Sequence, residues 1–93
     1  MAADFSVRGR EVVVVGAARS GVAAAELART RGAAVTLTEM RPVIDHADRL
    51  RAAGVRLELG GHRSETLAGA DLVVVSPGVP VDQPMFDEPR SRG

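Results

Sequence analysis

Three short stretches carry residues that could contact a ligand. The first, Gly16-Ala17-Ala18-Arg19-Ser20-Gly21, follows the apolar run Val12 to Val15 and precedes an alanine-rich segment. A glycine-bearing bend between a strand and a helix gathers free backbone amides and the positive end of the helix dipole around one point. The fingerprint G-x-G-x-x-G has a second glycine so that the backbone can touch a pyrophosphate; here Ala18 stands in that slot. Its methyl group disfavours so close an approach and leaves room for a phosphate held farther out, by Arg19 or the Ser20 hydroxyl. Gly16 and Gly21 also have a purely structural reading, as the positions that permit a tight strand-to-helix turn.

The second feature is Glu39, 23 residues after Gly16 and at the end of the apolar run that begins at Val35. An acidic side chain about 20 residues past the glycine bend meets a ribose hydroxyl in dinucleotide folds; the alternative is a solvated loop carboxylate. The third is Ser76-Pro77-Gly78. Pro followed by Gly suits a type II turn, which can present Ser76 Oγ and backbone amides to a phosphate or simply reverse the chain. His62 could act as a base beside a ligand, yet no second histidine is spaced to form a metal pair with it, and His46 has ordinary neighbours. Spacing supports no catalytic nucleophile with its base, no paired carboxylates and no metal site.

Composition narrows the chemistry. All twelve basic residues are arginine, so a P-loop lysine and a Schiff-base lysine are both excluded. With no cysteine, there is no thiolate nucleophile, disulfide or sulfur-ligated metal. Twelve acidic residues balance the arginines without a run of like charge, so neither nucleic acid nor a membrane surface is an expected partner. The N-terminal MAADFSVRGREVVVV lacks the layout of a signal peptide, and a cytoplasmic location is expected.

The elements that must position these residues alternate. Val12 to Val15 is a continuous β-branched run, as in a parallel strand covered on both faces. Ala23, Ala24, Leu27 and Ala28 recur at helical spacing and predict a helix over Ser20 to Arg31, with the Ser20 hydroxyl capping its start and Gly32 its end. Val35 to Thr38 predicts a second strand. Pro42 suits the first turn of a helix carrying Val43, Ala47 and Leu50, with Gly54 as its stop. Val55 to Leu59 is a third strand, less apolar and so nearer an edge. Ser64 to Ala68 makes one helical turn before Gly69, Leu72 to Val75 is a fourth strand, and Pro84 could open a last short helix. This alternation predicts one small α/β domain, a Rossmann-like parallel sheet of about four to five strands with helices on both faces. The terminal DEPRSRG brings no closing strand, so the chain is expected to be cut from something longer.

Taken together, VVVVGAARSGVAAAELARTRGAAVTLTE, LELGGH and GADLVVVSPGVP with the downstream Pro84 resemble the N-terminal domain of the Mur ligases, specifically of the branch that adds D-glutamate. The match covers nearly the whole chain, and DLVVVSPGVP at its distance from GGH is its most specific part. The resemblance implies a three-domain cytoplasmic enzyme of peptidoglycan synthesis. Its central domain binds ATP and magnesium, its C-terminal domain helps bind the amino acid, and its first domain, here residues 1–93, holds the UDP end of UDP-N-acetylmuramoyl-L-alanine. In that family ATP phosphorylates the substrate carboxylate and the D-glutamate amine then forms the amide. Carried over by position, Arg19 and Ser20 in the loop from Gly16 to Gly21 meet the diphosphate or uridine; Glu39, Met40 and Arg41 border the uracil and ribose; Ser76, Pro77 and Gly78 flank the diphosphate. Many relatives have glycine at Ala18 and aspartate at Glu39. The family's G-T-x-G-K-[ST] loop is missing, so the 93-residue chain is expected to need no cofactor of its own and to be inactive by itself. A NAD(P)-binding domain of an oxidoreductase is the chief rival, against which Ala18 and the SPGVP turn count. A non-catalytic α/β module with an empty loop is the third.

Overall fold

The computed structural model describes residues 6–77. The Pro84 helix expected from the sequence, and Gly78, lie outside these residues. Four strands and three helices alternate: β1 (Glu11–Val15), α1 (Arg19–Thr30), β2 (Ala34–Glu39), α2 (Ala47–Ala52), β3 (Arg56–Leu59), α3 (Ser64–Ala68) and β4 (Leu72–Val75). All pairings are parallel and the strand order is β3-β2-β1-β4, the α/β sheet the alternation predicted. Val15 is in register with Thr38 on one side and Val75 on the other.

The β-branched run of β1 is central and buried on both faces, as a strand without polar alternation must be. Val12 and Val14 pack with Val22 and Ala25 of α1, with Val35 and Leu37 of β2, and with Leu50 of α2. Val13 and Val15 face the other way, onto Leu67 and Ala70 around α3. The helices therefore cover both faces. β3 lies at an edge, as its weaker apolar character predicted, and β4 is the opposite edge among the described residues.

Two local expectations give way to tertiary packing. The helix foreseen from Pro42 begins only at Ala47 and has six residues. Val43 is 76% exposed while Ile44, outside the assumed period, is buried at 8%; burying Ile44 turns the segment before α2 away from a helical path. Ser20 does not cap α1. The cap position is Ala18, in extended conformation and without a side-chain bond, and the first helical bond runs from Val22 N–H to the Ala18 carbonyl at 2.9 Å. This places Ser20 inside the first turn, two residues past the cap position.

Close packing at the start of α1 depends on Gly21. A Cβ there would stand 2.5 Å from Ser76 Oγ and nearer still to the Gly16 carbonyl oxygen. Gly16 itself has φ 99°, a conformation open to glycine and costly for other residues. Two stability outcomes follow. Leu37→Ala, at a fully buried site, lowers the unfolding free energy by about 2–5 kcal/mol, read as a drop in the urea midpoint at unchanged slope. Gly21→Ala costs about 1–3 kcal/mol by overpacking, and the cost persists in Gly21→Ala/Ser76→Ala because the Gly16 backbone cannot yield as a side chain can.

Candidate functional site

Because the sheet is parallel, the segments that leave β1, β2, β3 and β4 all emerge on its carboxyl rim, where open α/β sheets bind ligands. The two bends carrying the glycine loop and Ser76 therefore share a rim, and they touch. Ser76 N–H donates to the Val15 carbonyl at 2.9 Å, and Ser76 Oγ donates to the Gly16 carbonyl at 3.0 Å. Ser76 is buried, so its hydroxyl faces the fold rather than solvent. Pro77 is exposed beside it.

At the start of α1, Val22 is the first residue whose amide finds a helical acceptor. The amides of Arg19, Ser20 and Gly21 precede it, and Ala18 supplies no side-chain cap. Arg19 and Ser20 are exposed while Gly21 is buried, so the first turn offers its outer amides and the helix dipole to an anion or to water. Ala18, Arg19 and Ser20 are all exposed, with the Ala18 methyl in the position a dinucleotide loop reserves for glycine.

Glu39 is placed differently from a solvated loop carboxylate. It is only 9% exposed, and its two oxygens are turned to neighbouring donors. Ala17 N–H donates to Oε1 at 2.8 Å. Arg41 donates to Oε2 through both its backbone N–H, at 3.0 Å, and its Nε, at 3.2 Å. The Glu39 carbonyl in turn accepts from Gly60 and Gly61 at 2.9 and 3.2 Å. Burial pushes the Glu39 carboxyl up, but the amides of Arg41 and Ala17 and then the Arg41 guanidinium outweigh it and hold the group below the usual carboxylate range. Arg41 and Met40 are exposed next to it, Met40 at 63%. The structure thus gathers Gly16, Arg19, Ser20, Gly21, Glu39, Met40, Arg41, Ser76 and Pro77 along one rim.

The ties formed by Ala17, Gly60 and Gly61 were missed in the sequence, though the double glycine after β3 marked the right place. His62, weighed above as a base beside a ligand, is tied to the scaffold: its Nδ1 lies 2.7 Å from Thr38 Oγ1, a fully buried hydroxyl on the α3 face. Among the described residues no three His, Asp or Glu side chains cluster to hold a metal ion. A cavity of about 610 Å³ lies elsewhere, between α1 and the start of β4, with Val7, Val12, Leu27, Leu72 and Val74 in its wall; it shares no residue with the rim loops and is mostly apolar.

Comparison with known proteins bears on this rim. Residues 10–93 match the family described as Mur ligase MurD-like, N-terminal domain. The chain is 46% identical over 81 residues to the UDP-N-acetylmuramoylalanine--D-glutamate ligase of Geotalea daltonii, covering 84% of this chain and 18% of that protein. It is 47% identical over 89 residues to the ligase of the same name from Anaeromyxobacter dehalogenans, covering 94% and 19%. It therefore spans about a fifth of the length of these relatives. Among solved structures, SirC, a precorrin-2 dehydrogenase, superposes with TM-score 0.69 at 22% identity over 85% of this chain and 40% of its own. A ferredoxin reductase from Rhodopseudomonas palustris does so with TM-score 0.61 at 26% identity, over 88% and 26%. These resemblances are of fold, whereas the sequence relatives agree on one enzyme family. The chain belongs to the Mur ligases, as a MurD-like N-terminal domain.

Proposed function

We propose that this domain binds the UDP end of UDP-N-acetylmuramoyl-L-alanine for a D-glutamate-adding ligase of peptidoglycan synthesis. The observation that carries the proposal is the meeting of the bends after β1 and β4 on one rim, locked by the 3.0 Å bond from Ser76 Oγ to the Gly16 carbonyl. A diphosphate lying across that rim meets the outer uncapped amides of α1 with Arg19 beside them. Such donors favour an anion through local dipoles rather than net charge, which is zero for the chain. Met40 and Arg41, exposed at the end of β2, supply an apolar and a cationic surface for the nucleoside. Relatives named for a UDP-sugar substrate support the choice of nucleotide.

The residues present do not fit ATP or magnesium. The chain has no lysine to sit on a triphosphate, and the described residues contain no cluster of metal-ligating side chains. We assign ATP, magnesium and the amide-forming step to the parts of the ligase that this chain does not span, and to this domain the capture and orientation of the nucleotide sugar. Such an enzyme works in the cytoplasm on a soluble substrate.

Isothermal titration of the chain with UDP-N-acetylmuramoyl-L-alanine, UDP and NADPH tests the proposal. The expected result is saturable binding of both uridine nucleotides, weakened by salt as a phosphate contact must be, and none of NADPH. Binding of NADPH without the uridine nucleotides would overturn it in favour of an oxidoreductase domain. Incubation of the same chain with ATP, magnesium, D-glutamate and the nucleotide sugar is expected to yield no amide product.

A further inference from the structure

We propose that Glu39 is a positioning residue of the nucleotide site: it fixes the loop after β1 and the Arg41 guanidinium in one geometry and does not itself touch the ligand. The inference deepens the nucleotide-binding function proposed above and rests on it. An acid at the end of β2 invites assignment to a ribose hydroxyl, but the geometry points inward. Oε1 accepts from Ala17 at 2.8 Å, and Oε2 accepts twice from Arg41, at 3.0 and 3.2 Å. The side chain is 12% exposed while that of Arg41 is 63% exposed. One carboxylate thus joins two segments 22 residues apart in sequence.

The consequences for the ligand differ at the two ends. At Ala17, the bond turns an amide of the loop inward and so determines where the amides beyond Ala18, those of Arg19, Ser20 and Gly21, emerge. At Arg41, the Nε is held on Oε2 and the terminal amino groups have no partner among the described residues. A guanidinium anchored through Nε presents its paired Nη groups as a rigid fork, suited to two oxygens of a phosphate or to the carbonyls of a base. An unanchored arginine would order this long side chain only on binding, at a cost in affinity. The clamp is an ionic device. Apart from Arg41, the groups facing it are backbone amides: Ala17 from the loop after β1, and Gly60 and Gly61 on its own carbonyl from the loop after β3. His62 of that loop is engaged by Thr38.

The sign of the pH dependence follows. The folded-state pKa of Glu39 is depressed, so the clamp is complete above the ordinary carboxylate pKa and is lost as pH falls through the depressed one. In the wild-type chain the Ala17 amide, the Arg41 amide and Arg41 Nε–H should titrate together in NMR spectra, at a midpoint below the ordinary glutamate range. UDP affinity should fall along the same midpoint.

UDP affinities of Glu39→Gln, Arg41→Ala and the double variant separate positioning from contact. Each single change is expected to weaken UDP binding about tenfold, the order of one charge-assisted hydrogen bond. The double variant should bind no more weakly than the worse single one, because both remove the same ordered fork. Losses that multiply, with the three NMR probes unmoved by acid, would overturn the inference and make Glu39 an independent contact. Wild-type chain that binds no UDP would instead overturn the nucleotide-binding function and the inference with it. Should Glu39→Gln fail to fold, the acid titration of the wild-type chain decides the matter alone: separate midpoints for Ala17 and Arg41 would refute a shared clamp.

Discussion

The close approach of α1 to the end of β1 is the constraint on which the rest of the rim depends. Gly21 has no Cβ, and the space a Cβ would fill is taken by the Gly16 carbonyl and Ser76 Oγ. That omission lets the Ser76 hydroxyl reach the Gly16 carbonyl from a strand 60 residues away in sequence. Both groups are buried, so the bond satisfies a polar pair that burial would otherwise penalise. It also fixes the bend after β4 against the loop after β1. On the other side of that loop Glu39 performs the corresponding task, and through its carbonyl it reaches the double glycine after β3. The segments leaving all four strands are thereby hydrogen-bonded into one continuous edge, and the uncapped amides of α1 emerge from a rigid frame.

Much of this was legible in the sequence because the signals were strong and local. The unbroken β-branched runs of β1 and β4 admit few other conformations, and the glycine pair bracketing the loop implied a tight turn into a helix. Where reading failed, the deciding interaction was long-range. The pattern Val43, Ala47, Leu50 matches a helical period, yet Val43 is solvent-exposed and Ile44 enters the core with Leu50. No local rule distinguishes those two neighbours; only the packing beside β2 and β3 does. Ser20 offered a good capping hydroxyl, but the helix starts one residue earlier because Ala18 already holds the extended conformation and accepts the first bond.

Glu39 illustrates the same limit at the site itself. Its position at the end of β2 was evident, and so was its value to a nucleotide fold. Which way its oxygens turn depends on Ala17, delivered by β1, and on Arg41, delivered by the reversal of the chain after Met40. Neither partner adjoins it in sequence, and both reach it within about 3 Å. A carboxylate with no such donors would face solvent; both oxygens of this one meet donors of its own chain.

The same geometry explains why a Mur ligase domain shares its shape with a dehydrogenase and a reductase. The shared fold sets a helix N-terminus beside the first strand, an arrangement whose dipole and free amides favour negative charge whatever the chemistry of the enzyme. On that frame this chain carries its own side chains: the Ala18 methyl stands where a dinucleotide loop has glycine, and the Glu39 carboxylate turns to Ala17 and Arg41 rather than outward. The methyl limits how closely an anion can approach the main chain of the loop, and the ties made by Ser76 and Glu39 hold the loop from which the uncapped start of α1 departs.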